Sequence, residues 1–348
     1  MALAGCELLT LQPGELRVNA AREMDPSDYI GLAESNRGIL SGGQDRNVTL
    51  HLHPGLDFPI VPAALALLML LAPVFLFAFA GEACARWAQR LPVVARIALP
   101  SVLLIPWLMV ALSTGMVAAR WIAVYTLAPV AVAELLLVAR RLDPEQRGHW
   151  LDFLALVPLG LAVDLRWLEP AWPHRLALLG KLTLLDAGLY GFLAIRQLSG
   201  VGFDLRLRGR DWKVGLREFA FCAPLAVGLG LAIGFLHWHG RMPHAWWLAP
   251  AWVFTFFGVA LPEEIFFRGW MQNLLERRMG RVASLLVTAC VFGLSHFNKR
   301  AVHFNWRYVL VAAVAGIFYG RAWRADRRVG ASAITHATVD TVWGALLK

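Results

Sequence analysis

Glu263, Glu264 and Arg268 are the residues of this sequence whose setting most demands an explanation. They lie in an apolar stretch, GVALPEEIFFR, from Gly258 to Arg268. A charged side chain at the centre of a membrane helix costs roughly 2.5–3.5 kcal/mol on insertion scales, so three together point to a functional cavity or a lock. Glu264 and Arg268 are four apart, share a helix face and can neutralise each other. Glu263 lies about 100° round the helix and is left as a second carboxyl directed elsewhere. A carboxyl held away from water suits general acid–base work. An ion-pair lock between helices is the other reading of these three residues.

Two more apolar runs carry ionisable side chains. The run 281–297 ends in VFGLSHF, with Phe292 and His296 four apart on one face. The last run, 328–347, holds His336 and Asp340 at the same spacing. There the acid can orient the imidazole and fix its tautomer. Each alone is also compatible with capping or packing. Depth brings them together. At about 1.5 Å per residue, Glu263 lies about 20 Å from the basic loop at 276–281, and His296 about 22 Å from it. His336 and Asp340 lie about 10–16 Å from the cluster ending at Arg328. All can meet in one layer inside a bilayer.

The elements that must position them are membrane helices. Of 348 residues, 58% are hydrophobic and 16% charged, and apolar runs of about 20 residues, the length that spans a bilayer, recur. The expected fold is all-α, a polytopic transmembrane bundle. Eight spans are clear and ten is the fullest count: 59–80, 97–119, 120–139, 150–166, 174–197, 214–236, 246–276, 281–297, 307–323 and 328–347. Fifteen tryptophans suit the water–lipid interface, Trp246-Trp247 among them. The net charge of +9 comes from short basic clusters between runs. That pattern marks membrane loops rather than a nucleic-acid-binding stripe, so the expected partner is the bilayer and not nucleic acid. Basic and poorer loops alternate, apart from the loop 298–307, which places both termini outside the cytoplasm if there are ten spans.

Three regions follow: a polar tail over 1–58, poorly ordered, with eight acids against four arginines; a transmembrane extension over 59–200; and a core over 201–348. Cys6, Cys84, Cys222 and Cys290 form no CxxC pair and read as packing residues. Gly316 and Gly320, four apart, are expected to let the last two spans approach closely. Lys181 and Asp186 read as a partial pair across helices. His237, His239 and His244, like His51 and His53, read as solvated loop residues.

In order along the chain, the three stretches resemble one family. EEIFFR is similar to the EExxxR motif of the CAAX protease and bacteriocin-processing family, also called the Abi or type II CAAX endopeptidase family. FGLSH resembles its FxxxH motif, and HATVD its third motif, a histidine followed four residues later by Asn or Asp. The resemblance covers about residues 215–348. It implies a glutamate-dependent intramembrane peptidase without a cofactor, in which Glu263 and His296 activate water, His336 and Asp340 stabilise the oxyanion, and Glu264 and Arg268 hold the surroundings. Many members carry Asn where this chain has Asp340. An ionised aspartate repels an oxyanion, so Asp340 is either protonated or only orients His336.

The expected function is hydrolysis of a peptide bond in a membrane-anchored protein or peptide, such as a C-terminal tag. Alanine-, arginine- and tryptophan-rich composition looks like that of a high-GC bacterium, so the expected location of this multi-pass chain is a bacterial inner membrane. Two alternatives stand beside it. Zinc could be bound by the glutamate and two histidines, although no HExxH pair exists. A non-enzymatic scaffold or transporter would keep the charges as a lock.

Overall fold

The computed structural model describes residues 59–238, 244–300 and 303–347. The polar tail 1–58, with Cys6, His51 and His53, lies outside the described residues, as does His239. His237 and His244 are exposed.

Among the described residues the regular secondary structure is helical, apart from one isolated bridge between Trp238 and Leu347. Ten helices match the ten apolar runs: α1 Ile60–Arg90, α2 Val93–Thr114, α3 Ala119–Leu142, α4 Trp150–Asp164, α5 His174–Ile195, α6 Gly209–Ala232, α7 Trp246–Met279, α8 Arg281–Leu294, α9 Trp306–Asp326 and α10 Val329–Leu346. Six of these, α1, α2, α3, α5, α6 and α7, are long and apolar enough to cross a membrane. The α4 and α8 helices are shorter, at 15 and 14 residues. The α9 helix carries Arg307, Arg321 and Arg324, and α10 carries His336 and Asp340.

Local chemistry sets the boundaries. Gly115 ends α2 in the left-handed conformation, and the Asn305 side chain accepts from the Tyr308 N–H to start α9. Asp152 starts α4 by accepting from the His149 N–H at 2.8 Å.

Asp152 has a second task. Arg196, fully buried at the end of α5, donates from Nε to Asp152 at 2.7 Å and from Nη2 to Asp143 at 2.6 Å. One guanidinium thereby ties the ends of α3, α4 and α5. Burial pushes the Asp143 carboxyl up, but the N–H groups of Arg147 and Gly148 and the Arg196 charge outweigh it and hold the group below its ordinary value.

The loop arginines that suggested membrane topology are also clamps. Glu218 holds Arg217 and Arg321, Glu276 holds Arg281, Arg324 and Arg327, and Arg328 holds Asp204 and Asp211. The tryptophans likewise divide. Trp246 is exposed, whereas Trp107, Trp172 and Trp323 are buried and donate to Ala171 O, Tyr125 Oη and Val201 O. Large rings therefore fill the interior as well as the interface.

Two expectations are corrected. Lys181 reaches Glu169 at 3.6 Å, and Asp186 is not its partner. Five residues of helix turn the two side chains to different faces. Gly316 and Gly320 pack against α8 and α7 rather than α10. A Cβ at Gly316 would stand 3.2 Å from Ala289 and Phe292, and one at Gly320 would stand 2.4 Å from Leu285 and 2.5 Å from Gln272.

Backbone meets backbone closely at Gly293, where a Cβ would stand 2.4 Å from the Val309 carbonyl and 2.8 Å from Ala313. Gly293→Ala is expected to destabilise the protein by about 1–3 kcal/mol through overpacking between α8 and α9. Gly344→Ala, with open space around it, is expected to be neutral or stabilising by about 0.5–1 kcal/mol. Thermal midpoints of the two purified variants check both signs.

Candidate active site

The site forms where α7, α8, α9 and α10 meet. The α7 helix is not a regular α-helix there. Phe256–Ala260 and Ile265–Gln272 are π-helical and flank the α-helical turn Leu261–Glu264. Pro262, which has no N–H to give, sits in that turn. A widened turn alters which side chains share a face, and π-helical turns concentrate at functional sites. Glu263, Glu264 and Arg268 are all buried.

Glu264 is a hub. Its Oε1 accepts from Arg268 Nη1 at 3.0 Å and faces His336 Nδ1 at 2.8 Å. Its Oε2 faces the Ser332 hydroxyl, which also lies 2.8 Å from the Tyr319 carbonyl and has one hydrogen to give. Arg268 continues from Nη2 to the Gly316 carbonyl at 2.9 Å and lies over the Phe292 and Tyr319 rings at 4.7 and 5.3 Å. The Gly316 carbonyl thus serves as a second acceptor for Arg268. Gln272 uses the next glycine in the same way, donating to Gly320 O at 3.3 Å.

His336 joins three carboxylates. Because a carboxylate only accepts, Nδ1 carries a proton toward Glu264. Its Nε2 stands 3.4 Å from Asp340 Oδ2 and 3.8 Å from Glu263 Oε2. Tyr319 stacks on the imidazole, with centroids 4.4 Å apart and planes 17° apart.

His296 has a defined tautomer for the same reason. Its Nδ1 lies 2.9 Å from the Phe292 carbonyl, which can only accept. The proton is therefore on Nδ1, and Nε2 presents a lone pair. Phe292 and Tyr308 pack on the ring at 5.0 and 4.8 Å.

Two cavities meet this cluster. One, about 280 Å³, is bounded by Leu67, Leu159, Lys181, Phe257, Glu263 and Trp270, so α1, α4 and α5 supply much of its wall. The other, about 60 Å³, is bounded by His296, Tyr308, Tyr319, His336, Asp340 and Trp343. Glu263 thus borders one cavity and His296 the other. His336 borders the second and stands beside Glu263. Among the described residues, no three His, Cys, Asp or Glu side chains are grouped as metal ligands.

The six residues singled out by sequence fall in this region, and Glu264 pairs with Arg268 as their spacing requires. Ser332 and Tyr319 were missed. Ser332 was detectable: with His336 and Asp340 it forms an i, i+4, i+8 polar row on α10. Tyr319 carried no such signal, because its role depends on α9 lying against α10.

Residues 245–342 match the family model described as type II CAAX prenyl endopeptidase Rce1-like. No curated protein and no solved structure matches the chain. The match begins in α7, about 30 residues after the start of the sequence resemblance at 215, and leaves α6 outside it. It contains EEIFFR, FGLSH and HATVD complete. The match over residues 245–342, together with six helices long and apolar enough to cross a membrane, supports a multi-pass membrane protease with a domain similar to the Rce1-like type II CAAX prenyl endopeptidases.

Proposed function

We propose that the protein is a glutamate-dependent intramembrane endopeptidase that cuts a peptide bond in a membrane-anchored peptide or C-terminal tag, in a bacterial inner membrane. The observation that carries this reading is the convergence of Glu263, Glu264 and Asp340 on one imidazole, His336, beside two cavities.

In this mechanism water gives a proton to Glu263, and its oxygen attacks the scissile carbonyl carbon. His296 Nε2 accepts a hydrogen bond from that water. The carbonyl π electrons move to oxygen, and the imidazolium form of His336 donates from Nε2 to the oxyanion. Collapse restores the carbonyl and breaks the C–N bond. Glu263 returns its proton to the leaving amine, so water and peptide yield one acid and one amine. Glu264 and Arg268 fix His336 through Nδ1. The 3.4 Å approach of Asp340 to Nε2 favours orientation of His336 as its role. No cofactor takes part in this scheme.

A deletion strain complemented with the wild-type chain or with Glu263→Gln tests the function. Terminal-peptide proteomics of the membrane fraction should find proteins that keep a C-terminal segment in the deletion and the variant but lose it with the wild type. An identical set of C-termini in all strains would sink the proposal.

A further inference from the structure

A second buried acid lies apart from the peptidase cluster. Asp186, in α5, is 1% exposed, and among the described residues no donor reaches either carboxylate oxygen. It lines a groove of about 500 Å³ between α1 and α2, within the roughly 300–1,000 Å³ range of small-ligand sites. The rest of the groove is nearly all apolar. Leu76 and Phe77 precede a break in α1, and Cys84 and Trp87 follow it. The break is at Ala80, whose φ of −137° and ψ of 27° are not helical. Leu103 from α2 and Tyr190, one turn beyond Asp186, complete the wall. The Tyr190 hydroxyl is already used, donating to Arg96 O at 2.8 Å. Leu76 and Trp87 are half exposed, so the groove opens outward, where lipid surrounds a membrane helix.

A buried carboxylate without a partner is costly, and in a membrane such a residue marks a binding or transport path. The peptidase cluster makes no use of it. We propose that this groove binds a lipophilic amine, its ammonium on Asp186 and its chain along the α1–α2 wall. Charge complementarity selects a cation, and the rings of Phe77, Trp87 and Tyr190 favour one further. Depth selects the kind of cation. Asp186 lies about 18 Å from one end of α5 and about 14 Å from the other, at 1.5 Å per residue. That is mid-bilayer, out of reach of a phospholipid headgroup. The site therefore takes a single-chain amine that enters the hydrocarbon layer.

The test uses the full chain in phosphatidylcholine nanodiscs and two photoprobes, a diazirine-bearing dodecylamine and the matching dodecanol. The amine should label peptides within residues 76–103 saturably and at least tenfold more than the alcohol. Asp186→Asn should reduce amine labelling to the alcohol level, and Asp186→Glu should retain it. Leu103→Trp, which fills the groove and keeps the acid, should also abolish it. Equal labelling by amine and alcohol in the wild type overturns the proposal. So does amine labelling that survives in folded Asp186→Asn. If Asp186→Asn fails to fold, saturable labelling that persists in Leu103→Trp overturns it.

Discussion

Arg268→Ala is expected to destabilise the protein by about 3–5 kcal/mol, the range for removing one partner of a buried ion pair. The guanidinium is fully buried and bonds Glu264 on one side and the Gly316 carbonyl on the other. Its loss leaves the Glu264 charge in the interior without its cation and strips a donor from a backbone carbonyl. Arg268→Lys should recover only part of this, because an ammonium cannot reach both acceptors with the geometry of a planar fork. Removing both charges in Glu264→Gln with Arg268→Met should cost less than Arg268→Ala alone. Replacing a buried pair by apolar groups is often neutral, so a cycle completed with the single variants Glu264→Gln and Arg268→Met should show strong coupling. Equilibrium unfolding in mixed micelles measures each of these proteins. An Arg268→Ala loss below about 1 kcal/mol, the size of an exposed pair, would show that the pair is not held in a dry interior.

The second large effect is on rate. His296→Gln is expected to lower kcat by about 10²–10⁴-fold, the contribution of a positioned general acid–base group. The hydrogen bond from Nδ1 to Phe292 O fixes the lone pair on Nε2, and Phe292 and Tyr308 fix the ring plane. Glutamine approximates the volume of the imidazole but supplies no comparable base. Folding should therefore change little while turnover falls. A His296→Gln enzyme within threefold of the wild-type rate would remove His296 from the chemistry and leave it as a packing residue at the end of α8.

Much of this arrangement was written locally in the sequence. Each helix announced itself as an apolar run, because a membrane helix satisfies its own backbone hydrogen bonds. The Glu264–Arg268 pair followed from four-residue spacing. What the sequence left open depends on contacts between distant segments. Gly316 and Gly320 signalled a close approach, but only the packing of α9 on α7 and α8 identifies the carbonyls that Arg268 and Gln272 use. The π-helical turns around Glu263 have no distinctive composition that marks them in the sequence. The clamp at Arg196 joins Asp143 and Asp152 across 53 and 44 residues. No periodicity links such positions. Lys181 and Asp186 misled for the same reason, because proximity in sequence stood in for a face that the helix does not provide.

The α1, α4 and α5 helices lie outside the family match, yet they wall the cavity that Glu263 borders. This places the N-terminal helices beside Glu263.

The measurement that tests the central claim most directly is substrate cleavage by purified Glu263→Gln, followed by mass spectrometry of the products, with its thermal midpoint recorded beside that of the wild type. The account predicts a folded protein with a wild-type-like midpoint and cleavage reduced by about 10²–10⁴-fold. A folded Glu263→Gln protein that releases the same products at the wild-type rate would contradict it.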